Sequence, residues 1–108
     1  MIYELRIYHC MPGRMADLLK RFEDLTMPVW EKHGIRQAGF WSVMVGGSNH
    51  DLYYMLAWES MAEREQKWAA VLADDEYFAA RAITNANGEL VASTSNIMLK
   101  PTAFSTVK

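Results

Sequence analysis

The stretch from Pro28 to Gly47 limits what the chain can become more than any other. Proline has no N–H to lose in the first turn, so Pro28 fits the start of a short helix. His33 falls where that helix ends, and Gly34 follows as a residue able to take positive φ. Ile35–Val45 is rich in aromatic and β-branched residues whose side chains alternate between two faces, the pattern of a strand. Gly39, Trp41, Val43 and Val45 share one face; Ala38, Phe40, Ser42 and Met44 share the other. Neither face is clearly polar, so this strand needs cover on both sides.

The remaining elements follow from period and punctuation. Ile2–His9 alternates as a strand, with Tyr3, Leu5 and Ile7 on an apolar face and Ile2, Glu4, Arg6 and Tyr8 on a mixed one. Met11-Pro12-Gly13 is a turn. From Arg14 the period becomes helical, and Met15, Leu18, Leu19, Phe22 and Leu25 form one apolar stripe. Pro28 would remove a hydrogen bond from a continuous helix, which predicts a kink or restart near Thr26–Met27. After Gly46-Gly47 and a polar turn, Leu52–Trp58 is a third strand, close enough to pair with the second as a hairpin. Ser60-Met61-Ala62-Glu63 matches a capping box opening a helix to about Ala73. Asp74-Asp75-Glu76 supplies a second cap and an acidic first turn for a helix over Glu76–Ala86. Asn87-Gly88 is a turn, and Leu90–Leu99 is the fourth strand, ended by Pro101.

The order β-α-β-β-α-β in one domain over residues 1–108 predicts a ferredoxin-like α+β fold. It is a four-stranded antiparallel sheet with the first and third strands central and the helices on one face. The other face would expose Phe40, Met44 and Tyr54, or Trp41 and Val43 if the register is opposite. A bare apolar face of that size predicts a second copy packed sheet to sheet, a two-fold homodimer with an enclosed interior.

Composition narrows the class of function. The chain is 51% hydrophobic with eight Met and four Trp, which supply much buried area. A formal charge of −2 and the lack of any Lys/Arg run argue against a nucleic-acid footprint. No apolar segment approaches the roughly 20 residues of a membrane span. The N-terminus lacks a signal-peptide pattern, and Cys10 alone cannot form an internal disulfide, so a cytoplasmic location is expected.

A series of short motifs runs through nearly the whole chain in order. They are Tyr3-Glu4-Leu5-Arg6 with Tyr8, Pro12-Gly13, Lys32-His33-Gly34-Ile35, Gly39-Phe40-Trp41, Gly46 and Trp58-Glu59-Ser60 with Glu63-Arg64-Glu65. Asp74–Phe78 and Leu99-Lys100-Pro101-Thr102 complete the series. Together they resemble the NIPSNAP family. That resemblance implies a dimeric α+β barrel and brings no catalytic residues. Similar barrels include cofactor-free monooxygenases, haem-degrading enzymes and binding proteins, which is analogy at the level of fold.

The candidate ligand residues are Glu4, Arg6, Tyr8, His33, Trp41 and Tyr54. Glu4 and Arg6 would orient a polar ligand if their face lines the dimer interior, or else form a structural ion pair across i,i+2. His33 is the one candidate general base, with a bland alternative as a partner for free helix carbonyls. Tyr8 and Tyr54 keep a polar end that wants a partner when buried; Trp41 would be an aromatic wall or simply core. No His/Cys/Asp/Glu set has metal spacing, and no cofactor motif is present. Two functions follow. One is a homodimer binding a small hydrophobic or aromatic metabolite in its barrel interior. The other is a cofactor-independent enzyme, monooxygenase- or isomerase-like, on such a metabolite.

Overall fold

A computed structural model describes residues 1–108. Strand β1 (Ile2–Cys10) leads into a helical run made of α1 (Met15–Arg21), a π-helical segment (Phe22–Thr26) and α2 (Met27–His33). Strands β2 (Arg36–Ser42) and β3 (Asp51–Trp58) follow, then α3 (Met61–Leu72), α4 (Asp75–Thr84) and β4 (Val91–Leu99). The sheet order is β2-β3-β1-β4 and every pairing is antiparallel, the ferredoxin-like α+β arrangement.

The proline at position 28 acts as expected, by a particular device. Rather than breaking, the helix widens to π geometry, and the Met27 N–H reaches back five residues to the Phe22 carbonyl. The ladder thereby steps past a residue that cannot donate. Gly34 closes α2 at φ 72°, and Ile35 N–H bonds the Trp30 carbonyl at 2.8 Å. Ser60 caps α3 by accepting from Glu63 N–H at 3.1 Å.

Strand β2 is shorter than its sequence pattern suggests. Pairing stops at Ser42 opposite Leu52, and Val43–His50 forms a loop in which Met44 and Val45 are almost fully exposed. A bulge between Gln37 and Phe40, with Gly39 at φ 127°, shifts the register and breaks simple alternation. Gln37 and Phe40 therefore both stand opposite residues of the helix-covered face, Leu56 and Tyr54.

The core lies between the helices and one sheet face. Phe40 stacks on Tyr54 at 5.0 Å between ring centroids, and Phe22 meets both edge-on. Leu18, Leu52, Leu56, Trp58 and Leu90 are wholly buried around them. The register puts Glu4, Arg6 and Tyr8 opposite Leu56, Tyr54 and Leu52, on this same face. The mixed face of β1 thus looks at the chain's own helices. The outward face carries Leu5, Ile7, Met55, Trp41, Ile97 and Leu99.

Candidate functional site

Four of the six candidate residues meet under the helices. Glu4 is at the centre of this group and fully buried. Its Oε1 accepts from Trp58 Nε1 (3.1 Å) and Arg64 Nε (2.8 Å). Its Oε2 accepts from Arg64 Nη2 (3.0 Å), Arg6 Nη1 (3.0 Å) and Asn96 Nδ2 (2.9 Å). Burial alone would push the carboxyl pKa up. The bonds from Arg64 and Asn96, with the charge of Arg6, outweigh it and hold the value at about 2. A carboxylate has about four lone-pair sites, so Glu4 has no capacity left for a ligand. It positions Arg6, whose Nε donates to the Tyr54 hydroxyl at 2.7 Å and whose guanidinium lies 5.2 Å from the Trp68 ring centroid. Burial pushes the Tyr54 phenol well up, so it stays neutral.

Beside this group is a cavity of about 150 Å³ between the sheet and the helices. Strand β1 supplies Arg6 and Tyr8, and the π segment supplies Phe22 and Thr26. Helix α3 contributes Trp68 and Val71, while Tyr77, Phe78 and Arg81 come from α4. Leu72 at the end of α3 and Arg21, the last residue of α1 and 5% exposed, complete the wall. The Arg21 Nη1 donates to Asn85 Oδ1 (3.0 Å) and Thr84 Oγ1 (3.3 Å), both neutral. Burial pushes the Arg21 pKa down, and the like charge of Arg81 adds to the effect. Neither Arg21 nor Arg81 forms an ion pair. The Trp68 indole N–H is buried without a partner.

His33 and Trp41 stand apart from this cavity. His33 Nε2 lies 2.8 Å from Asp74 Oδ2, which also accepts from Lys32 Nζ at 3.0 Å. The other oxygen of Asp74 caps α4 through Tyr77 N–H at 3.1 Å. The His33 bond, that cap and Lys32 hold the Asp74 carboxyl well below the usual range. His33 therefore ties the end of α2 to the start of α4, a contact that neither sequence reading foresaw. Trp41 lies on the outward sheet face opposite Tyr53 and is half exposed.

A further polar set occupies that outward face. His9 bonds Asp51 Oδ1 through Nδ1 (2.8 Å) and Ser95 Oγ through Nε2 (2.9 Å), linking β3, β1 and β4. The distances match a nucleophile, base and orienter in series. Ser95 sits within a regular strand, however, and none of the three residues lines the cavity described above. No three His, Cys, Asp or Glu side chains converge as a metal site.

The family model described as NIPSNAP matches residues 3–106. The chain belongs to the NIPSNAP family. Among solved structures it is similar to protein Atu4242 of Agrobacterium tumefaciens, with 24% identity, full coverage of both chains and a TM-score of 0.86. It is also similar to the NIPSNAP family protein ATU5224 of the same organism, at 22% identity over 99% of this chain and 98% of that one, with a TM-score of 0.86. A more distant likeness is a MhuD variant with two manganese protoporphyrin IX bound per active site, at 13% identity over 94% of each chain and a TM-score of 0.61. No curated protein matches the chain.

For this NIPSNAP protein those likenesses establish the fold, and the site rests on its own residues. Sequence reasoning missed Arg21, Arg81 and Trp68 as cavity residues. Arg21, expected to point away from the apolar stripe, is instead buried, and its spacing from Leu18 and Leu25 is the signal that could have shown it. It follows the apolar stripe of the first helix, one residue before Phe22, where a cation is drawn partly into the core.

Proposed function

We propose that this NIPSNAP protein binds a small aromatic metabolite in the cavity between β1 and the helices, and does so as a homodimer. The observation that carries the reading is the lining: Tyr8, Phe22, Trp68, Tyr77 and Phe78 surround about 150 Å³. Ligand sites are concave and mostly apolar with a few convergent polar groups. The expected location was the space between paired sheets. The residues able to touch a ligand instead face the chain's own helices, so the pocket proposed here lies within one protomer.

The size limits the ligand. Drug-sized molecules occupy roughly 300–1,000 Å³. A cavity of about 150 Å³ accepts a benzene-sized ring. The porphyrins of the MhuD variant are therefore not carried over to this chain. The enzymatic alternative named His33, Tyr8 or Arg6 as the working groups; Tyr8 and Arg6 line the cavity, but its one candidate base, His33, bonds Asp74 away from it.

Saturation-transfer NMR with indole, phenol and benzoate tests the reading. At least one probe should receive saturation from the protein. Val71→Phe, which grows a ring into the cavity from a buried wall position, should abolish that signal with the far-UV spectrum unchanged. No signal from any of the three probes overturns the proposal.

The dimer rests on a different surface. Only 18 of 108 residues are buried in the single chain, a small core for its length. Trp41 and Ile97 are each 51% exposed on the outward sheet face, and Leu99 is 40% exposed. The C-terminal tail does not spend its largest apolar group on covering them, since Phe104 is 90% exposed. A two-fold copy packed sheet to sheet would bury this face. Light scattering should give twice the chain mass at micromolar concentration, and Ile97→Glu should return the monomer. A wild-type monomer overturns the assembly. The lone, buried Cys10 suits a reducing compartment, in keeping with a cytoplasmic protein.

A further inference from the structure

Taking the cavity as a ligand site, we propose that its ligand carries an oxyanion, a carboxylate or a phosphate, received by Arg21 and Arg81. The inference rests on charge left without a counter-charge. Arg6 and Arg64 both have Glu4. Arg21 is more deeply buried than either and has only the neutral oxygens of Thr84 and Asn85. Glu89 acts on it through longer-range attraction alone. The C-terminal end of α4, where Thr84 and Asn85 lie, offsets part of one positive charge.

It cannot offset two. Arg81 opens onto the same cavity from α4 and has a face of Phe78 rather than an acid beside it, at 5.8 Å. Buried ions are ordinarily paired, and adjacent like charges raise each other's cost. A guanidinium offers five N–H donors in a fork that fits a carboxylate or phosphate, and Arg21 spends only Nη1 within the chain. Two cationic groups ask for an acceptor of negative charge, while the rings around them ask for a flat apolar body.

The test uses one ring with three head groups: benzoate, phenyl phosphate and the neutral benzamide, each titrated calorimetrically into wild type and Arg81→Gln. At least one anion should bind wild type about tenfold or more tightly than benzamide, since a charge-assisted bond contributes on that scale. The stronger of the two anions identifies the head group. Arg81→Gln should bring anion and amide close to parity. Arg21→Lys keeps the charge but loses the fork, and should weaken the anion alone; it carries the test if Arg81→Gln fails to fold. Benzamide binding as well as both anions, or a preference unchanged in the foldable variant, overturns the oxyanion and leaves the aromatic cavity standing. If none of the three binds, the cavity reading falls and this inference falls with it.

Discussion

Two pairs of arginines lie under the same helices and are treated in opposite ways. Arg6 and Arg64 converge on Glu4, and five hydrogen bonds saturate that one carboxylate. Arg21 and Arg81 converge on a cavity, with no acid in contact with either. The first pair is a closed network whose worth is structural: it fixes β1 to α3 and β4 and orients Arg6. The second pair is open: neither guanidinium has an ion pair, and Arg21 donates within the chain only through Nη1. A buried charge with all its partners in the chain supports the fold, whereas one lacking them marks room for something else.

The largest effect expected from this contrast is on stability. Glu4→Gln removes the only negative charge from two guanidiniums while keeping the side chain's shape. Breaking a buried pair in this way costs about 3–5 kcal/mol, read as a fall in the urea unfolding free energy. Arg21→Met removes a buried charge that had no counter-charge, and should change the same quantity by no more than about 1 kcal/mol in either direction. Equal losses in the two variants would erase the distinction between the closed pair and the open one.

Acid should act on the closed pair alone. The Glu4 carboxyl is lowered from 4.5 to about 2 in the folded chain. A depressed carboxylate contributes stability that is complete above its unfolded pKa and is lost as pH falls through the folded one. Stability should therefore hold down to about pH 4.5 and then drop by roughly 3 kcal/mol toward pH 2, on the scale of 1.36 kcal/mol per unit. Asp74 is depressed too and adds to the loss in the same direction. Urea midpoints measured across this range should show a shallower slope in Glu4→Gln, the remainder belonging to Asp74. Arginines do not titrate there, so Arg21→Met should keep the wild-type profile.

The sequence made the fold legible because its punctuation is local. Pro28, Gly34, Ser60 and Asp74 each act within a few residues and where expected, although only the Ser60 half of the capping box forms. The end of β2 was less legible. Val43, Met44 and Val45 continue the strand pattern, but beyond Leu52 only Asp51 of β3 is left for three residues to pair with. The face of β1 that meets the helices was also ambiguous, since both faces are partly apolar and only the register chooses. Glu4, Arg6, Tyr8 and Tyr54 stand out in the sequence as polar groups on strands, expected to face the interior between paired sheets; the register turns them under the helices instead. Arg21 and Arg81 lie 60 positions apart on different helices, and no periodicity relates two such residues until the helices pack. The tie from His33 to Asp74 was hidden for the same reason.

The smallest expected effect sharpens the contrast by leaving the covered face. His9 bonds Asp51 and Ser95 with short distances comparable to those around Glu4, yet its side chain is 36% exposed. Water competes for each of these groups, so a half-exposed network contributes little. His9→Gln should lower the unfolding free energy by about 0.5–1 kcal/mol, and Ser95→Ala by less. In the dimer this face would meet its twin, and the loss should then grow with protein concentration as association and folding become linked. A loss from His9→Gln as large as that from Glu4→Gln in the monomeric Ile97→Glu background would mean that bond geometry, and not burial, sets the value of these networks. The buried, unpaired state of Arg21 would then no longer mark a binding site.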